Sequence, residues 1–223
     1  MDGSKVQGED ELTHPMRAPI TVITATIPGR EERLSQTVKS VYAQTIEVES
    51  QLIMAQSCSE GFPGPAHCAM QQNALLAAVT TTWVMRLADD DLLLRHHIST
   101  LLPFLTDEFD VVYSWDATGN RPREDCTNWS REELIAQFAV RNWIDASAVA
   151  FRMNLLRRVG GWPTNYEGTP PFQGHFLGIE ATCEDHGGFY LLARAGARFR
   201  CVPEETWQYQ AGAWDRISNG NVR

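Results

Sequence analysis

The sequence contains few cysteines, and none of them pair at the spacing of a metal-binding or redox motif. The five cysteines among 223 residues include no C-x-x-C pair and leave an odd one out. Disulfide-rich domains and structural zinc sites normally show even or closely spaced cysteines. We therefore predict reduced thiols in a cytoplasmic protein, with neither a disulfide framework nor a structural zinc site.

Long apolar runs and an excess of positive charge are also missing. No stretch reaches the length of a membrane span, and the amino-terminal residues lack the apolar core of a signal peptide. The net charge of −9 disfavours a partner that is held by its phosphate backbone. The histidines show no H-x-H or H-x-x-x-H spacing, so we interpret them as surface or core residues rather than metal ligands.

The remaining composition is that of an ordinary globular protein, with 43% hydrophobic and 21% charged residues. A chain of this length can bury a full core in one domain. We predict four segments, listed by residue number: a mobile leader (1–17), a first half (18–115), a second half (116–210) and a C-terminal tail (211–223).

Two β–α units followed by a third strand organise the first half. Strands are predicted at Ile20–Thr26, Gln51–Ala55 and Thr82–Leu87, with helices between them. This order implies a mostly parallel α/β sheet, in which ligands bind beyond the carboxyl ends of the strands. The stretch Thr26–Arg30, the residue Gln56 and the acidic run after the third strand are therefore expected to meet in one crevice.

The acidic run is Asp89–Asp91, and it directly follows the third predicted strand. Like charges in a row cost free energy unless positive charge lies among them. Carboxylate oxygens at a strand end suit a Mg²⁺ or Mn²⁺ ion that carries substrate phosphates. The alternative is a solvated acidic turn that caps a helix beginning near Leu92.

Beyond the acidic run, the chain alternates helices, strands and breaker residues. Predicted in order are a helix 95–105, a strand 110–114, a helix 130–140 opened by a capping box, a strand 146–151, a short helix 154–159, a helix 184–195 and a strand 198–202. The loop Trp162–Gly178 is long for a compact domain and rich in proline and glycine. Loops of this kind usually form binding surfaces or lids.

In this order, the features resemble a family 2 glycosyltransferase with the GT-A fold, over roughly Ile20 to Tyr209. The resemblance rests on the first strand and Ser40–Thr45, on Asn73 ahead of the third strand, on Asp89–Asp91 as a DxD-type motif, on Phe151-Arg152 with Val159–Trp162, and on Glu184-Asp185. It implies a fold with a Rossmann-like half that binds the nucleotide sugar (18–115) and a half that binds the acceptor and carries catalysis (116–210).

The same resemblance implies metal-dependent transfer with inversion at the sugar. Asp90 would contact Mn²⁺ or Mg²⁺, with support from Asp91, and Asp89 would face the ribose. Asp185 would be the catalytic base that takes the acceptor's proton, with Glu184 orienting the site. The alternative for both acids of this last pair is a helix start stabilised by the helix dipole.

Further residues are assigned to the two substrates. Donor binding is expected of Thr26, Pro28, Arg30, Gln56, Asn73 and Asp89, and acceptor binding of Gly161 and Trp162. The stretch Thr26–Arg30 also reads as a plain strand-to-helix turn, and Trp162 equally suits a sugar-stacking or a core position. Gln56 stands where the family usually has an Asp, which leaves the nucleotide base open.

The function predicted from the sequence is sugar transfer from a nucleoside-diphosphate sugar, with a UDP-sugar favoured, to a hydroxyl acceptor. The acceptor is a glycan, a protein, a small molecule or, less in keeping with the charge, modified DNA. Two alternatives stay open. One is a nucleotidyltransferase-like enzyme, and the other is a non-catalytic module that binds nucleotides or sugars on the same fold.

Overall fold

The structure is a computed structural model, and it describes residues 17–56, 65–165, 174–181 and 184–210. Most of the predicted leader, the tail 211–223 and the middle of the predicted loop Trp162–Gly178 lie outside these residues. Arg17, assigned to the leader, is instead the first residue of a strand. Within the described part of the chain, no helix is long and apolar enough to cross a membrane.

Strands and helices alternate along the described chain. The strands are β1 (Arg17–Thr26), β2 (Glu47–Ala55), β3 (Trp83–Arg86), β4 (Leu92–Leu93), β5 (Val111–Asp116), β6 (Val149–Arg152), β7 (Gly174–Phe176), β8 (Ile179–Ala181) and β9 (Phe199–Gln208). The helices are α1 (Glu31–Tyr42), α2 (Pro65–Ala78), α3 (His97–Leu101), α4 (Arg131–Phe138), α5 (Met153–Arg158) and α6 (Glu184–Arg194).

A seven-stranded sheet with the order β2-β1-β3-β6-β5-β9-β4 forms the centre of the molecule. The pairings place β1, β2, β3, β5 and β9 in one direction and β6 and β4 in the other. The predicted mostly parallel α/β sheet is confirmed. Because the parallel strands end at the same edge, the polar residues that follow β1, β2 and β3 come together there.

Side-chain alternation along the strands builds a core on each face of the sheet. Val84 and Phe151 belong to one hydrophobic cluster, whereas their neighbours Met85 and Ala150 belong to the other. This is the period-two pattern of strands that are buried on both faces. The long β-branched and apolar runs in the sequence follow from this double burial.

The capping box predicted at Ser130 is confirmed at the start of α4. Its hydroxyl accepts a hydrogen bond from the Glu133 backbone N–H, and the Glu133 carboxylate accepts one from the Ser130 N–H. These two bonds satisfy two backbone donors that a helix start leaves without intrahelical partners. The sequence therefore located this helix start correctly.

The alternative of a helix that begins near Leu92 was wrong. Leu92 begins the short strand β4, which pairs with Gln208 of β9, and the next helix starts only at His97. In α1, Tyr42 is 80% exposed. Thr37 of the same helix is buried, and its hydroxyl donates to the carbonyl oxygen of Asp91 at 2.9 Å.

Candidate active site

The predicted meeting of three loops at the sheet edge is present in the structure. The Thr26 hydroxyl, at the end of β1, donates to the Asp89 carboxylate at 2.6 Å. The Gln71 side-chain amide joins the backbone carbonyls of Thr26 and Gln56, at 3.2 and 3.3 Å. Pro28 lies exposed in the turn that follows β1. Four predicted donor-binding residues therefore lie together at the carboxyl ends of β1, β2 and β3.

Arg30 supplies the positive charge that the acidic run requires. Its Nε lies 3.0 Å from Asp89, and its Nη2 lies 2.5 Å from Asp90. The more exposed Arg33 adds a second cation 3.6 Å from Asp90. Burial raises the pKa of Asp89, while the Thr26 hydrogen bond and the charge of Arg30 oppose that rise. Two of the three acids are thus compensated within the first half of the chain.

Asp91, the third acid, has the carboxylate of Asp145 as its main charged neighbour. Burial raises the pKa of Asp91, and the nearby negative charge of Asp145 raises it further. The Ser147 side chain and the Gln210 backbone N–H, the latter at 3.1 Å, donate to Asp91 and lower its pKa. Asp145 also has a raised pKa because of burial, which its ion pair with Arg121 at 2.8 Å opposes.

The two acids at the start of α6 differ in environment. Glu184 is buried, and it accepts a hydrogen bond from Arg86, the last residue of β3, at 2.6 Å. Asp185 is less buried and accepts a hydrogen bond from the His186 backbone N–H at 2.8 Å. Burial is the main cause of the raised pKa of Asp145, and the negative charge of Asp185 adds to it. The negative charge of Asp185 therefore acts on Asp145, and the negative charge of Asp145 acts on Asp91.

Asn73 and Gly161 hold Trp162 in the core. The Asn73 amide donates to the Trp162 carbonyl and accepts from the Trp162 backbone N–H, both at 2.8 Å. The indole is 1% exposed and packs edge-on against Phe151, with the Arg86 guanidinium 5.5 Å from its centroid. Trp162 thus occupies the core position, the alternative to sugar stacking. The Asn73 amide serves this backbone, which leaves donor contact by Asn73 as a prediction only.

Sequence reasoning missed four residues of this site: Gln71, Arg86, Arg121 and Asp145. Two carried a usable signal. Arg86 is a basic residue that ends an apolar strand, and Asp145 is a lone acid between apolar residues. Charges in such positions are rarely buried unless they are paired. Arg121 lies in a turn-rich stretch, and Gln71 lies in a helix with other polar residues, so neither stood out.

The carboxylates also bear on whether a metal ion fits. In the described part of the chain, no three His, Cys, Asp or Glu side chains are grouped to hold a metal ion. A Mg²⁺ or Mn²⁺ that carries a nucleotide needs only one or two protein carboxylates, because phosphates and water complete its shell. Asp91 beside Asp145 is a hard-oxygen pair whose mutual repulsion a cation would relieve. The residues at this edge therefore fit a nucleotide-bound divalent cation.

The fold is similar to those of solved glycosyltransferase structures, at low sequence identity. No protein-family model matches the sequence, and no curated protein matches it significantly. Residues 1–349 of TarS from S. aureus align with a TM-score of 0.58 and 12% identity, over 87% of this chain and 60% of that chain. The mannosyltransferase PcManGT from Pyrobaculum calidifontis, in complex with GDP-Man and Mn²⁺, aligns with a TM-score of 0.56 and 14% identity, over 92% of this chain and 62% of that chain.

A third similar structure is glucosyl-3-phosphoglycerate synthase from Mycobacterium tuberculosis, in complex with Mg²⁺ and UDP. It aligns with a TM-score of 0.51 and 15% identity, over 92% of this chain and 76% of that chain. The chain spans about three fifths of the TarS and PcManGT chains that it matches. With its mixed sheet and its polar edge, the chain has a GT-A-type glycosyltransferase fold.

Proposed function

We propose that the protein transfers a sugar from a nucleoside-diphosphate sugar to a hydroxyl acceptor, with inversion at the sugar carbon. One observation carries this proposal. Arg86, at the end of the strand that leads into Asp89–Asp91, pairs with Glu184 at 2.6 Å, so the start of α6 with Glu184 and Asp185 lies at the same edge of the sheet as the acidic run. Displacement at a sugar carbon requires stabilisation of the leaving diphosphate and a base for the acceptor hydroxyl, and this edge offers groups for both.

The donor side of the proposal comprises Thr26, Pro28, Arg30, Gln56 and Asp89. Hydrogen bonds and ion pairs among these residues and Gln71 hold the loops that follow β1, β2 and β3 next to one another at the carboxyl ends of the strands. A UDP-sugar is our favoured donor. The similar TarS was solved with UDP and with UDP-GlcNAc, whereas PcManGT was solved with GDP-Man, so the nucleotide base needs a direct test.

The proposed cofactor is Mn²⁺ or Mg²⁺, held by Asp90 and Asp91. The ion pairs favour Asp91 for the closer contact, because Arg30 already compensates Asp90 while Asp145 adds negative charge at Asp91. When bound, such an ion acts as a Lewis acid for the leaving diphosphate. Arg30 and Arg33 hold Asp90, and the Gln210 backbone N–H and the Ser147 side chain hold Asp91.

Asp185 is the proposed base for the acceptor hydroxyl. Glu184 is ion-paired to Arg86 and buried, so it cannot readily reach a substrate proton. We assign Glu184 the task of fixing the start of α6, and with it Asp185, against the end of β3. Trp162 and Gly161 support the acceptor side through the packing of their loop. Cytoplasmic localisation remains a prediction from the sequence.

Calorimetry with nucleotides tests the proposal directly. UDP and GDP would be titrated into the protein with and without Mn²⁺, and transfer or hydrolysis of UDP- and GDP-sugars would be followed in parallel. We expect Mn²⁺-dependent binding of a nucleoside diphosphate, turnover of the matching nucleotide sugar, and loss of both in Asp91→Asn. Asp107→Asn is the matched control, because Asp107 is an exposed acid on the surface.

Each other outcome has a defined meaning. Binding of nucleoside diphosphate without any turnover, even with a crude mixture of acceptors, would favour the non-catalytic module. Release of pyrophosphate from a nucleoside triphosphate and a sugar phosphate would favour the nucleotidyltransferase-like enzyme. Absence of nucleotide binding under all conditions would overturn the proposed function.

A further inference from the structure

We propose that Arg121 contacts the diphosphate of the nucleotide donor and that Asp145 and Tyr209 hold its guanidinium in place for this contact. The inference rests on the proposed function and deepens it, since it names a further residue of the same site. No motif in the sequence pointed to Arg121. Its assignment comes from its neighbours in the structure.

The guanidinium of Arg121 is held on two sides. Its Nε forms the ion pair with Asp145 at 2.8 Å, and its Cζ lies 3.8 Å from the centroid of the Tyr209 ring. A guanidinium that stacks on an aromatic ring and pairs through Nε keeps its two terminal amino groups in a fixed plane. Two parallel N–H groups in such a plane match a pair of phosphate oxygens.

The terminal nitrogens of Arg121 are still available to a ligand. Within the described residues, neither of them makes a hydrogen bond, and the side chain is 36% exposed. By contrast, Arg30 and Arg86 already use terminal nitrogens for acids of the site. Arg121 therefore keeps both terminal nitrogens open within the described part of the chain, whereas the third arginine of this edge, Arg33, directs one of its own toward Asp90.

The backbone around Arg121 is organised before any ligand arrives. Asp116, at the end of β5, accepts hydrogen bonds from the backbone N–H groups of Thr118, Asn120 and Tyr209, each at 2.9–3.0 Å. One buried carboxylate thus fixes both the turn that leads into Arg121 and the tyrosine on which it stacks. Preorganisation of this kind lowers the entropy that binding would otherwise cost.

The location also suits a diphosphate. Arg121 lies close enough to Asp91 and Asp185 for both charges to act on it. Asp91 is a proposed ligand of the nucleotide-bound cation, and Asp185 is the proposed base at the sugar. A group near both lies where a donor's diphosphate links the cation to the sugar. A guanidinium there would take up the negative charge that develops as the diphosphate leaves.

A purely structural role makes a different prediction. If Arg121 only neutralised the acids around it, its removal would lower the free energy of unfolding. It would also weaken the binding of all nucleotides equally. A diphosphate contact instead changes the preference for nucleoside diphosphate over nucleoside monophosphate, because the monophosphate lacks the second phosphate. This ratio of affinities is the readout that separates the two roles.

The experiment measures UDP, GDP, UMP and GMP affinities with Mn²⁺ in the wild type and in Arg121→Gln. We expect the affinity for the preferred nucleoside diphosphate to fall about 10–100-fold, the loss of a charge-assisted bidentate contact, and the monophosphate affinity to change less than about threefold. Arg121→Lys keeps the charge but lacks the planar guanidinium. Its affinity for the nucleoside diphosphate should therefore lie between those of the wild type and Arg121→Gln. Melting temperatures establish that each variant is folded, and Arg121→Lys serves if Arg121→Gln does not fold.

Arg123→Gln is the matched control, because Arg123 lies two residues away, is 42% exposed and pairs with Glu205 on the surface. It should leave both affinities unchanged. Asp145→Asn should reduce the affinity for the nucleoside diphosphate less than Arg121→Gln does, because the guanidinium of Arg121 remains. Unchanged diphosphate affinity in a folded Arg121 variant, while the wild type binds, would overturn this inference alone. A wild type that binds no nucleotide would overturn the proposed function and this inference with it.

Discussion

At the scale of single residues, three consecutive aspartates have three different surroundings. Asp89 is bonded to Thr26 and Arg30, Asp90 is paired with Arg30, and Asp91 faces the acid Asp145. All three are buried, yet among the described residues only the first two form an ion pair. Electrostatic repulsion is thus concentrated at Asp91, which is also where a bound cation would relieve it.

We predict that Asp91→Asn stabilises the metal-free protein at neutral pH. The folded state raises the pKa of Asp91, so between its unfolded and folded pKa values the native state binds more protons, and stability falls as pH rises. Asp91→Asn has no carboxyl group at this position, so its stability does not fall with pH for this reason. We expect its Tm to exceed that of the wild type by about 2–4 °C at pH 8, corresponding to ~1 kcal/mol, with the difference vanishing near pH 4.

Scanning calorimetry in the presence of a chelator would measure this difference. Asp90→Asn is the comparison, since its loss removes the partner of Arg30 and should lower the Tm instead. A Tm difference at Asp91 that stayed constant across the pH range would contradict the electrostatic explanation.

A second prediction at this scale separates the two acids of α6. Asp185→Asn should reduce transfer by about 10²–10⁴-fold while leaving nucleotide affinity and Tm close to those of the wild type, as expected for a lost general base. Glu184→Gln should mainly lower stability, by about 1–3 kcal/mol, because it leaves the buried Arg86 without its counter-charge. Turnover, UDP and GDP binding, and Tm for both variants would decide. Near-normal turnover of Asp185→Asn would remove it from the catalytic role.

At the scale of elements, one clamp joins α2, the loop after α5 and α6. Asn73 of α2 holds both backbone groups of Trp162, and the Trp162 ring lies against Gly188 of α6, where an added Cβ would come within 2.4 Å of the ring. Arg86 lies over the same ring and pairs with Glu184. The clamp therefore connects the packing of three elements to the acids of the site.

We predict that Gly161→Ala destabilises the protein more than Gly160→Ala. Both glycines have a positive φ, of +79° and +87°, so both substitutions carry a similar backbone strain of about 1–2 kcal/mol. An added Cβ at Gly161 would also lie 2.3 Å from the Asn73 side-chain oxygen, whereas at Gly160 it meets nothing within 4 Å. We expect an additional loss of about 1–3 kcal/mol for Gly161→Ala, from the displaced hydrogen bonds.

Urea denaturation of the two variants isolates the contact, because the shared strain cancels in the difference. Equal midpoints for Gly160→Ala and Gly161→Ala would contradict the role assigned to Asn73. In the double variant Gly161→Ala/Asn73→Ala, the shorter side chain at position 73 leaves room for the added Cβ. The stability lost on Gly161→Ala should therefore be smaller when Asn73 is already replaced by Ala.

At the scale of the whole molecule, one continuous sheet contains strands from both predicted halves of the chain. β1, β2 and β3 come from the first half and β6 and β9 from the second, with β3 pairing directly to β6. The acids of the two halves can therefore meet at one edge without a hinge between separate sheets. The predicted boundary near residue 115 falls at the end of β5, within this sheet.

The overall charge leads to a prediction about partners. With a net charge of −9, the protein should repel duplex DNA, so we expect no saturable binding below about 100 μM protein at physiological salt. Fluorescence anisotropy with a labelled duplex would measure it, and a basic DNA-binding domain would provide the positive control. Saturable binding that weakened steeply with salt would restore DNA as a candidate acceptor.

The sequence by itself determined the features that depend on neighbours along the chain. A run of β-branched residues specifies strands such as Ile20–Thr26, and Ser130 with Glu133 specifies a helix start, because these signals span only a few residues. The order of strands then places polar residues at one sheet edge. The fold class, and the position of Asp89–Asp91 at this edge, were predictable for these reasons.

Only the tertiary structure decided which charges meet. Arg30 reaches Asp90 across 60 residues of sequence, and Arg86 reaches Glu184 across 98. No local pattern encodes such partners, since the free energy of each buried charge depends on what lies beside it in three dimensions. For this reason Trp162 lies in the core, Asp91 faces Asp145, and Arg121 presents a guanidinium that the sequence alone did not reveal.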